Sequence, residues 1–398
     1  MKAGLQDGYS DRICSAADTL RRIEPLLPRY GITRLARLTG LDRIGIPVWN
    51  AVAPNAKSIT ISQGKGVSDI DAKVSAAMEA LERAVAGNPE VETFIDCWRS
   101  LAEAGRRAER LPGLIGAGQE DIGPDEPIEW VTGADVIDGS PVCLPYQATI
   151  LDRTQVQCRF WQSSDGLASG NTLDEAILHG LLERIERDAH VLWQVASDRG
   201  AARGVDPLAF HEPAISTMME KIVAAGLILR LFDITTDIGI PCYTALLGPA
   251  NIADMKNVRF FDVTHGSGAH PNPARAVIRA ITEAAQSRLT FISGARDDIH
   301  PETFNRPLPE EIRMRLMAGA SGTPVDAPAF PSGAPALLSH TLAQLRAAGI
   351  TNIFAVPLAA GNAPFSVAKI FVPQLENPEG PRKRRFGVRA ISRSLGIV

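Results

Sequence analysis

The sequence lacks any surplus of basic charge, since 41 Lys and Arg residues stand against 45 Asp and Glu residues, a formal net charge of −4. Nucleic-acid-binding proteins need excess positive charge to neutralise phosphates, so the composition gives no support to this class. The chain also has no run of about 18 apolar residues, and a transmembrane helix is therefore not expected. Its first residues, Met-Lys-Ala-Gly-Leu-Gln-Asp-Gly, contain no apolar stretch of the kind found in secretory signals.

Cysteine is scarce and scattered along the chain. The five cysteines are Cys14, Cys97, Cys143, Cys158 and Cys242, and no two of them form a C-x-x-C pair. An odd and dispersed set of this kind is typical of reduced thiols and gives no zinc-binding signature. Together with the missing signal and membrane segments, it predicts a soluble cytoplasmic protein.

Three common catalytic motifs are missing as well. Gly64-Lys65-Gly66 is followed by Val67-Ser68, so the P-loop pattern fails, and Asp69 occupies the position of the last glycine in G-x-G-x-x-G. No G-x-S-x-G occurs, which leaves acyl-hydrolase chemistry without support. The Gly-Lys-Gly segment is either a plain turn after a strand or a loop whose amides and Lys65 approach a nucleotide.

Helix and strand patterns interleave along the 398 residues without strict βαβ alternation. Residues 128–146 predict a hairpin with Asp138-Gly139 as its turn. We expect a strand at 259–263 and an irregular segment rich in Pro, Gly and Ala at 301–336. These patterns predict a mixed α/β (α+β) fold in which mixed or antiparallel sheets are flanked by helices.

One short sequence recurs. Gly45-Ile46-Pro47 returns as Gly239-Ile240-Pro241, in both places between predicted strands. So short a match can arise by chance, but it keeps open an architecture of two pseudo-symmetric halves.

The first strong helix pattern covers residues 69–86 and carries Ser75, Glu79 and Glu82 at spacings of four and three. These spacings place the three side chains on one face of the helix. Two carboxylates one turn apart repel each other unless positive charge lies between them. The plain alternative is a solvated stripe in which Arg83 supplies that charge.

The second pattern, residues 172–197, is the longest in the chain and repeats the Glu-x-x-Glu spacing. Asn171, Glu175, Glu183 and Glu186 fall within an arc of about 120° on its helical wheel. This arc borders the apolar stripe, so the carboxylates lie at the shoulder of the buried face. Carboxylates in such a position are costly unless they are paired or bind metal.

The third pattern, residues 273–292, lines Arg275, Arg279, Glu283 and Gln286 along one face. A face with two guanidinium groups can bind polyphosphate oxygens bidentately. The alternative is a surface salt bridge between Arg279 and Glu283. Clustered glutamates with arginines nearby indicate Mg²⁺, whose shell is usually completed by water and substrate phosphates. Together, the three helices predict a site in which carboxylates hold the metal, the metal holds phosphates and arginines bind the remaining charge.

These helices resemble the ATP and Mg²⁺ motifs of the YcaO-domain family, and the sequence is identified as a member of it. The matching motifs are Ser75-x-x-x-Glu79-x-x-Glu82-Arg83, Asn171-x-x-x-Glu175 with Glu183-x-x-Glu186-Arg187, and Arg279-x-x-Thr282-Glu283-x-x-Gln286. Gly31-Ile-Thr-Arg34, Gly64-Lys-Gly66 and Gly166-Leu-Ala-Ser-Gly170 match as well. The resemblance extends from about residue 12 to about residue 376.

The resemblance implies a YcaO-type α/β fold with a nucleotide site between helices, and ATP and Mg²⁺ as cofactors. It also implies that ATP activates a backbone amide of a ribosomally made peptide or protein. A nucleophile attacks the amide carbonyl, the resulting oxygen is phosphorylated, and phosphate leaves. The nucleophile is a Cys, Ser or Thr side chain in azoline formation, a sulfide equivalent in thioamide formation and an amine in amidine formation.

Residue roles follow from the resemblance, motif by motif. The residues implied to hold Mg²⁺ are Glu79, Glu82, Glu183 and Glu186. The residues implied to contact ATP are Ser75, Asn171, Glu175, Arg187 and Arg279. Glu283 and Gln286 match the third motif with a role left open between metal and nucleotide. Arg12 lies where the family often has an N-terminal basic nucleotide ligand.

The chain also departs from part of the family. Azoline-forming members often end in Pro-x-Pro-x-Pro and often carry, or pair with, a peptide-docking domain, whereas this chain ends in Ser-Leu-Gly-Ile-Val. It is more similar to thioamide-forming members that work with a TfuA-like partner, and we expect that activity. An azoline-forming cyclodehydratase and a non-catalytic accessory ATP-binding factor for ribosomal protein modification remain alternatives.

The resemblance also sets expectations for organisation. We expect a single YcaO domain over residues 1–376, followed by a basic tail at 377–398 that is a candidate for disorder. Family members are commonly homodimers, so a homodimer is expected here. The expected partners are a peptide or protein substrate and a TfuA-like protein, with no nucleic acid and no membrane.

Overall fold

The computed structural model of the chain describes residues 11–196, 203–319, 322, 330–359 and 361–396. The chain forms two compact units, each built from separate stretches of sequence. Unit 1 comprises residues 1–55, 59–80 and 198–331, and unit 2 comprises residues 56–58, 81–197 and 332–398. The single-domain boundary at residue 376 stays a prediction, because compactness alone does not decide it.

Unit 1 contains two antiparallel sheets. The strands of its first sheet, in spatial order, are β1 (Arg34–Arg37), β2 (Val48–Val52) and β3 (Ile61–Lys65). The strands of its second sheet are β8 (Arg203–Val205), β9 (Leu227–Asp233), β10 (Cys242–Pro249) and β11 (Thr264–Ala269), in chain order and pairing with their neighbours. The pairing of β9 with β10 confirms the strands predicted there.

Unit 2 contains a sheet in the order β4-β5-β12-β13-β7, in which β6 also pairs with β5. Its strands are β4 (Thr93–Cys97), β5 (Pro127–Asp135), β6 (Pro141–Pro145), β7 (Leu167–Gly170), β12 (Phe354–Pro357) and β13 (Ser366–Phe371). β5 and β6 form the predicted hairpin, and Gly139 in its turn has a φ of 76°, a conformation that glycine adopts at little cost. All of these pairings are antiparallel, as the predicted mixed α/β class requires.

Ten α-helices occur within the described residues. They are α1 (Ala16–Ile23), α2 (Asp69–Gly87), α3 (Trp98–Glu103), α4 (Tyr146–Thr149), α5 (Leu173–Val195), α6 (Pro213–Ala224), α7 (Pro273–Ser293), α8 (Glu310–Met317), α9 (Ala334–Ala347) and α10 (Val388–Ser394). α2, α5 and α7 confirm the three predicted helices that carry the motifs. The division between the units falls within α2. No helix in the described part of the chain combines the length and apolar character needed to cross a bilayer.

Each motif helix follows a strand after a short connection, and glycine lets the strand lie directly on the helix. A Cβ at Gly64 of β3 would collide with the backbone of Ala76 in α2, and one at Gly268 of β11 would collide with the backbone of Ala276 in α7. At Gly170 of β7, a Cβ would approach the Cβ of Glu175 to 2.5 Å. The three motif helices are therefore held at their N-terminal halves by the strands that precede them.

Apolar side chains also fix α5 and α7 to the same sheets. In unit 1, Ile281 of α7 and Leu231 of β9 belong to one core and are at most 1% exposed. In unit 2, Gly180 of α5 faces Ile370 of β13, and Ile185 of α5 is fully buried. Burial of each such aliphatic side chain stabilises the fold by about 1.5–3 kcal/mol. The polar motif residues therefore lie on helices whose apolar residues pack in a core.

Two local predictions were wrong. The strand expected at 259–263 is a 3-10 helix, Phe260–Asp262, because the Asp262 carboxylate accepts the backbone N–H of Arg259 at 2.8 Å and closes a turn. The segment 301–336 is not irregular throughout. It contains a 3-10 helix, Pro301–Asn305, then α8 and the start of α9, while residues 320–321 and 323–329 lie outside the described residues.

The tail also differs from the sequence-based expectation of disorder. The described residues 377–396 include α10, and the N-terminus of this helix is capped by a residue that precedes the tail. The buried Glu376 carboxylate accepts the backbone N–H groups of Gly387 at 2.7 Å and Ala390 at 2.8 Å. Arg389 of α10 pairs with Asp188 of α5 at 3.0 Å. The basic composition of the tail concealed these specific contacts with buried acids.

Candidate functional site

The predicted site residues fall in both compact units. Those in unit 1 are Arg12, Lys65, Ser75, Glu79, Arg279, Glu283 and Gln286. Those in unit 2 are Glu82, Asn171, Glu175, Glu183, Glu186 and Arg187. The contacts below are those that the structure places within each unit.

Lys65 and Glu283 meet in unit 1. Lys65 is the last residue of β3, and its ammonium group donates to the carboxylate of Glu283 on α7. Both side chains are 23% exposed, so the pair is accessible without being free in solvent. This contact joins the Gly-Lys-Gly segment to the third helix motif, two features that sequence spacing alone could not relate.

The three residues of the first motif lie on α2 as predicted. Ser75 and Glu79 are half-buried, and Glu82 is only 8% exposed. Burial lowers the pKa of Arg296, a residue just beyond α7, but the bond to Asp298 and a smaller contribution from the charge of Glu79 raise it above its usual value. The burial of Glu82 contradicts the alternative of a fully solvated stripe.

α7 carries the remaining unit 1 residues. Arg279, Glu283 and Gln286 are all half-buried on this helix. Near its N-terminus, Nδ1 of His270 accepts the backbone N–H of Asn272 at 2.9 Å, so Nε2 carries the proton and faces Asp11 at 3.0 Å. Burial, with a smaller contribution from Arg279, lowers the pKa of His270 to about 3. Arg12, the expected N-terminal nucleotide ligand, lies exposed ahead of α1.

Asn171 and Glu175 are hydrogen-bonded to each other at the start of α5. The backbone N–H and the side-chain amide of Asn171 both donate to the Glu175 carboxylate, at 2.8 Å and 3.0 Å. Thr172 caps the helix by accepting the backbone N–H of Glu175 at 3.3 Å. Glu175 is only 4% exposed, so this motif pair is held in a fixed geometry.

Arg187 lies among three carboxylates about three turns further along α5. Its guanidinium nitrogens are 3.5 Å from Glu183, 3.5 Å from Glu186 and 3.8 Å from Asp165. The other oxygen of Glu183 accepts the backbone N–H of Gly166 at 2.9 Å. The structure therefore brings together the whole second half of the second motif, with Asp165 added to it.

The protonation of these acids is set by burial and by the neighbouring cations. Burial raises the pKa of Glu183, and Arg187 offsets only part of this effect. Burial acts in the same direction on Asp165, but Arg184 and Arg187 outweigh it and hold the pKa of Asp165 below its usual value. A buried carboxylate whose charge is disfavoured gains most from a cation placed next to it.

The donor set fits magnesium. The described residues contain no group of three or more His, Cys, Asp or Glu side chains already arranged around one point. Mg²⁺ does not require such a group, because it commonly binds one or two carboxylates together with water and substrate phosphates. Glu183 and Glu186, one helical turn apart and supported by Arg187, meet that requirement.

Two residues of this region were missed in the sequence. The Asp165 carboxylate accepts a hydrogen bond from Arg382 at 3.0 Å. It lies directly before Gly166, and the sequence motif that begins at Gly166 does not include it. Lys369 of β13 is 5% exposed and donates to the backbone carbonyl oxygens of Ser163 and Asp165 at 2.8 Å each. A lysine within an otherwise apolar strand was the available signal for the second residue.

Comparisons with known proteins show the family of the chain. Residues 63–376 match the family model described as YcaO cyclodehydratase, ATP- and Mg²⁺-binding. The chain belongs to the YcaO family. An uncharacterised protein in the tfuA 3′ region of Rhizobium leguminosarum bv. trifolii is 39% identical over 99% of this YcaO chain and 95% of its own. The family assignment made from the three helix motifs is thus confirmed.

Two solved structures share the fold of this YcaO chain. A heterocyclase in complex with substrate and cofactor superposes with a TM-score of 0.77 at 20% identity, and the match covers 97% of this chain but 55% of that one. YcaO from Methanopyrus kandleri, bound with AMPPCP and Mg²⁺, gives a TM-score of 0.67 at 22% identity over 93% of this chain and 96% of that one. The predicted YcaO-type fold is confirmed.

Proposed function

We propose that this protein uses ATP and Mg²⁺ to activate a backbone amide of a ribosomally made peptide or protein, and that the product is a thioamide formed with a TfuA-like partner. One observation carries the choice of product: the relative with 39% identity over 99% of the chain is from a tfuA 3′ region. The description of the family as ATP- and Mg²⁺-binding supports the choice of cofactors.

The proposed roles follow from the two groups of residues. Glu183 and Glu186, with Glu79 and Glu82, hold the metal, which when bound neutralises phosphate charge. Arg187 and Arg279 bind phosphate oxygens through their guanidinium groups. The nucleotide is contacted by Ser75, Asn171, Glu175 and Lys65, with Arg12 at the N-terminal side. Glu283 positions Lys65 through their ion pair, and Gln286 lies one turn further along the same helix.

The chemistry requires a better leaving group than an amide oxygen provides. In the proposed reaction, a sulfide equivalent adds to the amide carbonyl, and the carbonyl oxygen takes the γ-phosphoryl group of ATP, which releases ADP. The added sulfur gives up its proton to solvent. The C–O bond then breaks, phosphate leaves with the former amide oxygen, and the C=S bond remains. Preorganised arginines stabilise the negative charge that develops on the transferring oxygens, and they do so without reorganising solvent.

The test is mass spectrometry of a candidate peptide incubated with the protein, ATP, Mg²⁺, a sulfide source and a TfuA-like protein. We expect a mass gain equal to the exchange of one oxygen for one sulfur, dependent on both ATP and the partner. A mass loss equal to one water, without a sulfide source, indicates azoline or amidine ring formation instead, and the azoline is the second candidate. That second candidate is favoured by the word cyclodehydratase in the family description.

If the protein is an accessory ATP-binding factor, the same experiment gives a third outcome. ATP hydrolysis without any change in peptide mass, in the presence of every component, contradicts a peptide-modifying enzyme. The proposal also includes a homodimer, as expected from the resemblance, and light scattering of the purified protein measures it.

A further inference from the structure

Unit 2 encloses a cavity that the proposed function does not use. Its volume is about 100 Å³, and its apolar wall includes Leu111, Leu114, Phe160 and Trp161. Cavities of this order hold a ring or a short aliphatic chain. None of the residues predicted to bind ATP or Mg²⁺ lines it.

The polar part of the wall is strongly cationic. Arg184 of α5, Lys369 of β13 and Arg382 of the tail line the cavity and are 4%, 5% and 6% exposed. Asp165 is the acidic residue of the lining. The charged lining therefore has three buried cations and one carboxylate, Asp165, which is paired with Arg382. Glu183 and Asp188 do not line the cavity but offset part of the charge of Lys369 and Arg184, and an anion in the cavity would balance the rest.

Two of these cations have nitrogens that no described residue satisfies. Nη2 of Arg184 donates to the carbonyl oxygen of Glu376 at 2.8 Å, but its Nη1 has no hydrogen-bond partner among the described residues. Arg382 donates to Asp165 at 3.0 Å and to the carbonyl oxygen of Pro378 at 2.6 Å, and its Nε is likewise unpartnered within the described chain. Buried donors are rarely left in this state, and an acceptor bound in the cavity that both side chains line would supply the missing partner.

We propose that this cavity binds a small organic carboxylate, of about the size of one amino acid, with its carboxylate on Arg184 and Arg382 and its apolar group among Leu111, Phe160 and Trp161. A guanidinium binds a carboxylate oxygen through charge-assisted hydrogen bonds, and the wall removes an aliphatic or aromatic group from water. Two sources supply this chemistry: the C-terminal residue of a peptide, or a free carboxylic acid. The cavity adjoins the proposed nucleotide ligands through Asp165, which lies 3.8 Å from Arg187, but none of those ligands lines it, so the proposal does not depend on the proposed function.

The experiment uses the full-length protein and N-acetyl-leucine as the probe, with N-acetyl-leucinamide as the uncharged analogue. Trp161 lines the cavity and reports binding through its fluorescence, and calorimetry measures the affinity. We expect saturable binding of the acid and at least about tenfold weaker binding of the amide. In the Trp161→Phe variant, the calorimetric signal remains while the ligand-induced change in fluorescence is lost.

Three variants place the probe in the cavity. Arg184→Gln keeps a donor for the Glu376 carbonyl oxygen and is expected to weaken binding of the acid by about tenfold or more. Arg346→Gln, at an exposed position of α9, is the matched control and leaves the affinity unchanged. Leu114→Trp fills the cavity and abolishes binding, which tests the same site if Arg184→Gln does not fold.

Peptides ending in leucine, with a free or an amidated C-terminus, distinguish the two sources. Tighter binding of the free-acid peptide than of N-acetyl-leucine identifies a peptide C-terminus, and the reverse order identifies a free acid. Equal binding of acid and amide overturns the proposal, as does an unchanged affinity in folded Arg184→Gln. Competition of the acid with AMPPCP also overturns it, because the probe would then occupy the nucleotide ligands.

Discussion

Arg187 occupies the position from which one guanidinium can serve two purposes. It lies 3.5 Å from both Glu183 and Glu186, so its charge offsets the repulsion between these two carboxylates. In the proposed function, a cation and phosphates bind at these acids, and the same guanidinium then contacts phosphate oxygens. The proposed metal role requires Glu183 and Glu186 to be ionised, so substitution of either by a neutral isostere should remove that role.

Glu186→Gln should reduce Mg²⁺-dependent ATP hydrolysis by at least about 100-fold, since it removes one carboxylate ligand without changing side-chain volume. Steady-state phosphate release measures the effect, and thermal melting verifies the fold. Glu103→Gln, at an exposed position of α3, is the control and retains wild-type activity. Wild-type turnover in Glu186→Gln contradicts the metal assignment.

His270 should make the protein acid-sensitive. Its pKa is about 3 in the fold because of burial and the nearby Arg279, against about 6.5 in the unfolded chain. Between these values the unfolded state binds a proton that the folded state does not. The free energy of unfolding should therefore fall as the pH decreases from about 6.5, by up to about 1.4 kcal/mol per pH unit from this residue.

Urea denaturation of wild type and His270→Gln between pH 7 and pH 4 checks this expectation. The variant should lose less stability over that range than wild type, whatever its stability at pH 7. Equal slopes in the two proteins contradict the neutral, buried state of His270, in which Asp11 accepts the proton on Nε2.

At the scale of the elements, the motif helices were predictable because their patterns are long, periodic and bounded by good caps. Thr172 and Asn272 accept backbone N–H groups at the starts of α5 and α7, and both are residue types common at helix N-termini. The 3-10 helix Phe260–Asp262 was not predictable in this way. A short apolar run fits a strand equally well until the Asp262 hydrogen bond decides the outcome.

The glycines that join strands to motif helices give a direct test of the packing. Gly64→Ala should lower the free energy of unfolding by about 3 kcal/mol, because its Cβ would collide with the backbone of Ala76. Gly40→Ala is the control, since no heavy atom lies within 4 Å of its added Cβ, and it should change stability by less than about 0.5 kcal/mol. Chemical denaturation of both variants makes the comparison, and similar stabilities contradict the close strand–helix contact.

The tail contains a second element-scale test. Asp188 is fully buried, and burial raises its pKa although Arg389 acts in the opposite direction. Arg389→Met should therefore destabilise the protein by about 3 kcal/mol, because it leaves a buried acid without its partner. Arg385→Met is the control: Arg385 pairs with Glu379 on the surface, with side chains 64% and 80% exposed, and the loss should be within about 0.5 kcal/mol. Equal melting temperatures for the two variants would contradict the contact between Arg389 of the tail and Asp188.

At the scale of the whole molecule, the sequence was sufficient for the family, the fold class and the residues that share a helix. It was not sufficient for residues joined only by tertiary structure. Asp165 and Arg382 are separated by 217 positions, and Lys65 and Glu283 by 218, so no local spacing relates them. Composition was misleading for the tail, because Arg382 and Arg389 pair with the acids Asp165 and Asp188, which the basic sequence does not reveal.

The central claim is that the motif acids bind a nucleotide only together with Mg²⁺, and one titration tests this claim. Calorimetry with AMPPCP should show tight binding to the wild-type protein in the presence of Mg²⁺, and binding at least about tenfold weaker in EDTA or in Glu183→Gln. Equal affinity for AMPPCP with Mg²⁺ and with EDTA would contradict the central claim.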